Sequence, residues 1–126
     1  MKKRGYIIFT FLLSLCLLGC SASSQIQSID QKTVYNMIQN KEDFILVDVR
    51  EQNEYDEGHI PSSVLIPLGT IESDFQKIIT DKQQKIVVYC RTGRRSQEAY
   101  DKIIHLGYEN VYDMGGIVDW QYEIEK

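Results

Sequence analysis

KIVVYCRTGRRSQEAYDKIIHLG, Lys85 to Gly107, changes character twice along its length. Lys85 to Cys90 is a short apolar run rich in β-branched residues, the pattern of a strand buried on both faces. From about Arg94 to His105 the apolar spacing becomes helical, with Ala99, Ile103 and Ile104 inward and Gly107 as the stop. Only Arg91, Thr92 and Gly93 lie between. A buried strand, a tight loop and an amphipathic helix are the opening of a βαβ unit, and they point to an α/β domain.

The flanking sequence repeats the alternation. Asp30 is placed to cap a helix with Val34, Met37 and Ile38 on one side. Phe44 to Val49 is a second buried-type strand. The polar EQNEYDEG after it predicts one helical turn around Gln52–Tyr55, closed by Gly58. Ser63 to Leu68 predicts another short strand, limited by Pro67. Ile71, Phe75, Ile78 and Ile79 mark a second amphipathic helix, and Asn110 to Met114 a further strand. Gly115-Gly116 then leads into a short helix carrying Trp120. The pattern predicts a mostly parallel central sheet. Ligands of such sheets bind beyond the carboxyl ends of the strands, where Cys90 stands.

The N-terminus has a different logic. Lys2, Lys3 and Arg4 precede YIIFTFLLSLCLL, Tyr6 to Leu18, which is short for a membrane span but suits a signal-peptide core. It runs into Gly19-Cys20 and the polar SASSQ. This resembles the lipobox of bacterial lipoproteins, with bulky Leu18 as a minor departure. The resemblance implies cleavage after residue 19, a lipid on Cys20, a linker over 20–28 and a domain over 29–126. That domain is expected outside the cytoplasm, held to the membrane through its lipid alone. An uncleaved N-terminal anchor is the alternative.

Without residues 1–19, 11 Lys and Arg face 18 Asp and Glu, a net charge of −7. That balance argues against nucleic acid as a partner. The remaining chain is long enough for one core, and a monomer is expected. Of three cysteines, Cys16 leaves with the signal and Cys20 carries lipid, so Cys90 has no intramolecular partner. Without a CxxC, a dithiol mechanism is excluded. His59 and His105 stand far apart with no second cysteine, so no metal site is expected.

A thiol at a strand end before a helix faces the unpaired N–H groups of the first helical turn. Those groups and the helix dipole favour negative charge on sulfur. Gly93 lets the backbone curl so that N–H groups converge on an anion. The thiolate is the nucleophilic form. Arg91, Arg94 and Arg95 cannot all point inward, so one or two are expected to clamp an anionic substrate. The alternative reading of Cys90 is a small buried hydrophobe. Against that, three cations here oppose the helix dipole, which calls for a compensating anion.

The loop Cys90-Arg91-Thr92-Gly93-Arg94-Arg95, followed by Ser96, resembles that of the rhodanese-like domains, Cys-Arg-x-Gly-x-Arg/Ser. LVDVRE (46–51), EYDEGHIP (54–61) and MGGIVDW (114–120) resemble three further family motifs in the same order. Ser62-Ser63 departs from the family's common Gly-Ala. The resemblance implies a single rhodanese-like domain with helices on both sheet faces. It also implies sulfur transfer from thiosulfate or a similar small anionic donor, through a Cys90 persulfide, to a thiol or protein acceptor. Residues 91–96 would hold the anion, and neither metal nor organic cofactor is needed.

Asp48 and Arg50, at a neighbouring strand end, are expected to brace the loop. His59 reads as a buried polar anchor and His105 as a helix-end cation; Tyr89, Trp120 and Tyr122 read as packing. A phosphatase of this fold would need Cys-x5-Arg, but the fifth residue after Cys90 is Ser96. A docking or persulfide-presenting module and a thiol redox sensor are the other rivals.

Overall fold

The computed structural model describes residues 25–126. Its centre is a parallel sheet of β1 (Ile45–Asp48), β2 (Val64–Leu65), β3 (Ile86–Cys90) and β4 (Val111–Gly116), in the order β2-β1-β3-β4. The helices are α1 (Gln31–Gln39), α2 (Gln52–Glu57), α3 (Ile71–Ile78) and α4 (Arg94–His105). The α/β class with helices on both faces is as expected. Among the described residues, 3-10 turns run over Leu68–Thr70 and Ile117–Asp119.

Strand alternation sorts the core into two layers. Leu46, Val87 and Tyr89 face Val34 and Met37 of α1. Val47, Val49, Val88 and Cys90 face Ile71 and Phe75 of α3 and Ala99, Tyr100 and Ile103 of α4. Full burial of each large aliphatic side chain contributes about 1.5–3 kcal/mol, an upper estimate against a compact unfolded chain. These layers, rather than the two-residue edge strand β2, hold the sheet.

Asp30 caps α1 as expected, accepting from Thr33 N–H at 2.9 Å. The strand predicted over Ser63–Leu68 is shorter, because Pro67 has no N–H and the chain bends into a 3-10 turn at Leu68. Ile78 ends α3 half-exposed, whereas Ile79, at the extended C-cap, is buried in its place. The short helix predicted to carry Trp120 is a 3-10 turn that stops at Asp119. Ser62 has φ of 70°, the left-handed conformation that glycine adopts without strain. Its neighbour Ser63 donates to Ile60 O at 2.7 Å and meets the Tyr89 hydroxyl at 3.0 Å.

The signal peptide and Cys20 lie outside the described residues. Gln27 and Ser28 already run beside β4: Asp113 N–H donates to Gln27 O at 2.8 Å. Among the described residues no helix is long and apolar enough to cross a membrane.

Candidate active site

β3 ends on Cys90, and its two neighbours build the walls around that end. The thiol lies on the α3/α4 face, 1% exposed. Gly93, with φ of 109°, turns the chain back so that its N–H donates to Cys90 Sγ at 3.0 Å. A side chain at Gly93 would strain that conformation. Behind the turn, buried Ser96 donates to Gly93 O at 3.0 Å and fixes the start of α4. The predicted curl of Gly93 toward sulfur is therefore present.

β4 supplies a second support that the sequence reading passed over. A bulge shifts its register so that Val88 pairs with Asp113 but Tyr89 pairs with Gly115 and Cys90 with Gly116. Asp113 Oδ1 accepts from Gly115 N–H at 2.9 Å, holding the bulge in shape. Burial pushes the Asp113 carboxyl above its ordinary value, against the hydrogen bond from Gly115 N–H. Gly116 then passes directly beneath the loop. A Cβ there would lie 2.7 Å from Thr92 Cα and closer still to Arg91 O. Val118 N–H donates to that same Arg91 carbonyl at 3.2 Å, tying the loop to the chain after β4.

The three arginines divide. Arg95 forms a two-pronged ion pair with Glu54, Nη1 to Oε2 at 2.7 Å and Nη2 to Oε1 at 2.8 Å. Glu54 also accepts from Glu51 N–H at 2.9 Å, completing a capping box on α2. The Arg95 hydrogen bonds hold the Glu54 carboxyl down to about 2. Arg95 thus ties α4 to α2, while its charge still acts on the Cys90 thiol. Arg91, Thr92 and Arg94 are exposed around the loop, and among the described residues neither arginine is in an ion pair. Part of the compensating anion inferred from sequence is Glu54 itself, 41 positions away in the chain.

Asp48 and Arg50 do come together, but not to brace the loop. Arg50 Nη2 donates to Asp48 Oδ2 at 2.7 Å and to Gly58 O at 2.8 Å. They share the parity of Leu46 and so occupy the face opposite Cys90, where Arg50 lies over the Tyr89 ring at 5.8 Å. They pin Gly58 instead. His59 is an anchor as expected: its Nδ1 bonds Tyr55 O at 2.8 Å, its ring stacks on Tyr55, and its backbone pairs with Glu125. His105 Nδ1 bonds Asp101 O at the end of α4. Tyr89 is more than packing, since its hydroxyl accepts from Ile60 N–H at 3.2 Å. Among the described residues no three His, Cys, Asp or Glu gather as metal ligands.

Residues 30–123 match the rhodanese-like domain family. The chain is a rhodanese-like domain. A sulfurtransferase of Allochromatium vinosum is 32% identical over 96 residues, covering 75% of this chain and 88% of that protein. The BH2092 protein of Bacillus halodurans shares the fold at a TM-score of 0.71 and 30% identity, over 79% of this chain and 76% of that one. A rhodanese with anions from E. coli aligns at a TM-score of 0.61 and 29% identity, over 65% of this chain and 96% of that one. Within this rhodanese-like domain the matched stretch runs from the cap of α1 to the chain beyond Trp120, so it contains every loop around Cys90.

Proposed function

We propose that this rhodanese-like domain is a sulfurtransferase in which Cys90 carries the transferred sulfur. The observation that supports it best is the Gly93 N–H on Cys90 Sγ, inside a loop rimmed by Arg91 and Arg94. In the first half-reaction the Cys90 thiolate attacks the outer sulfur of thiosulfate or a similar donor. The S–S bond of the donor breaks and sulfite leaves with the electron pair, drawn by the rim guanidiniums. Cys90 is left as a persulfide whose charge faces the loop N–H. In the second half-reaction an acceptor takes the outer sulfur and Cys90 recovers its electron pair. Two half-reactions predict ping-pong kinetics.

The test is thiocyanate formation by the full chain from thiosulfate and cyanide, with a mass gain of one sulfur on Cys90. Cys90→Ser should abolish both. Folded, reduced protein that shows neither with several donors would leave the docking module as the better reading. The sequence also supports a lipid on Cys20 and an extracytoplasmic, membrane-tethered domain. An unmodified, full-length N-terminus in host membranes would overturn that part.

A further inference from the structure

The chain enters the domain at one pole of the sheet. Gln27 to Ile29 lies along β4 and runs parallel to it, with Ser28 opposite Asp113. Asp113 N–H donates to Gln27 O at 2.8 Å, and Ile29 N–H donates to Asp113 O at 3.0 Å. The Gln27 side chain reaches back to Val111 O through its Nε2. Ile26 packs on the core layer that holds Tyr108 and Val111. The entering chain is therefore fixed from Ile26 onward, at the level where β4 begins.

All strands of a parallel sheet point one way, so its two poles differ. β3 and β4 end side by side at Cys90 and Gly116, beneath the Arg91–Gly93 loop. They start side by side at Ile86 and Val111. That starting pole is where Ile26 enters and where the turn over Asp81–Gln84 leads into β3. Along β4 from the level of Val111 to that of Gly116 the chain climbs about 16 Å, at about 3.3 Å per residue. From Cys20 to Ile26 the chain spans at most about 20 Å when fully extended. A lipid on Cys20 could bring the loop to a bilayer only with this linker drawn almost straight along the side of the domain. Holding it so gives up the linker's conformational freedom, which opposes that arrangement. Every shorter path seats the starting pole on the membrane.

We infer that the lipid holds the domain with the start of its strands toward the bilayer and the Cys90 loop facing away from it. The inference rests on the reading of Cys20 as a lipid carrier given above. Arg91, Thr92 and Arg94, all exposed, then open to the aqueous phase. The donor and acceptor that meet Cys90 are thus water-soluble, and a sulfur carrier dissolved in the bilayer does not reach the loop.

The experiment uses the full chain, produced in a bacterium that processes lipoproteins. It is reconstituted on vesicles of phosphatidylethanolamine and phosphatidylglycerol that carry an energy acceptor on their headgroups. Once Cys20 is lipidated, Cys90→Ser leaves no free thiol. In that background one fluorophore is attached at Gln83→Cys, in the turn before β3, or at Thr92→Cys, in the loop; both positions are exposed. The probe at position 83 should lose more of its emission to the headgroup acceptor than the probe at position 92. Equal losses, or a larger loss at position 92, overturn the inference while a lipid mass on Cys20 keeps the tether standing. A chain without lipid on Cys20 that stays off the vesicles brings down the tether reading and this inference together.

Discussion

Arg95 and Glu54 face each other with two parallel hydrogen bonds of 2.7 and 2.8 Å, joining the first turn of α4 to α2. Paired forks of this kind fix orientation as well as charge. The strut ties the start of α4, beside the Cys90 loop, to α2, and it gives one of the three cations a carboxylate partner. Glu54→Gln should lower stability by about 1 kcal/mol and leave Arg95 free to bind anions, lowering the KM for thiosulfate. Urea unfolding and steady-state kinetics check the two parts.

The same pair has a pH signature. Glu54 is held down to about 2 against an ordinary value of 4.5, so its pairing stabilises the fold above about 4.5. That contribution fades as pH falls through about 2, where the folded carboxylate takes its proton. The stability gap between wild type and Glu54→Gln should therefore shrink between these two values. A gap that stays constant over the window would assign the loss to packing rather than charge.

Gly116→Ala should be the most damaging single methyl near the site. Its Cβ would press on the backbone of Arg91 and Thr92, which cannot rotate away as a side chain could. Overpacking of this kind costs about 1–3 kcal/mol, and here the strain falls on the loop that holds the sulfur. Thermal unfolding should show the loss of stability, and the thiocyanate assay a larger loss of kcat than of donor binding.

Burial raises Asp113 above its ordinary 3.8, so the folded protein binds this proton more tightly than the unfolded chain. Stability should then fall as pH rises from about 3.8 through the raised value. Asp113→Asn still accepts from Gly115 N–H but has no charge to bury. It should lack this decline and gain on wild type across the window in urea unfolding. Parallel curves for the two proteins would sink this account of Asp113.

Ser62 holds a left-handed φ of 70°, a conformation that glycine adopts without strain. The strain of a side chain there exceeds the entropy that glycine costs, so Ser62→Gly should stabilise the protein by about 0.5–1 kcal/mol. A higher urea midpoint at unchanged slope would show it.

What the chain decides locally was legible from its order alone. The buried character of β3, the helical spacing of α4 and the glycine before it depend on neighbours a few residues apart, and they place Cys90 at a strand end beside N–H donors. The same local patterns missed where short elements stop, because Pro67 and the cap after Ile78 redirect the chain by a single residue. Pairings across the fold were out of reach. Nothing in the order of residues says that Arg95 meets a carboxylate 41 positions earlier, although three cations opposing one helix dipole signalled that some anion must. Asp48 and Arg50 show the limit most clearly. Their sequence neighbourhood places them next to the loop's strand, but the two-residue period of a strand turns them to the other face. Residue order thus determined which atom carries the chemistry; only the packing of α2 and β4 against the loop decided which charges and which backbone surround it.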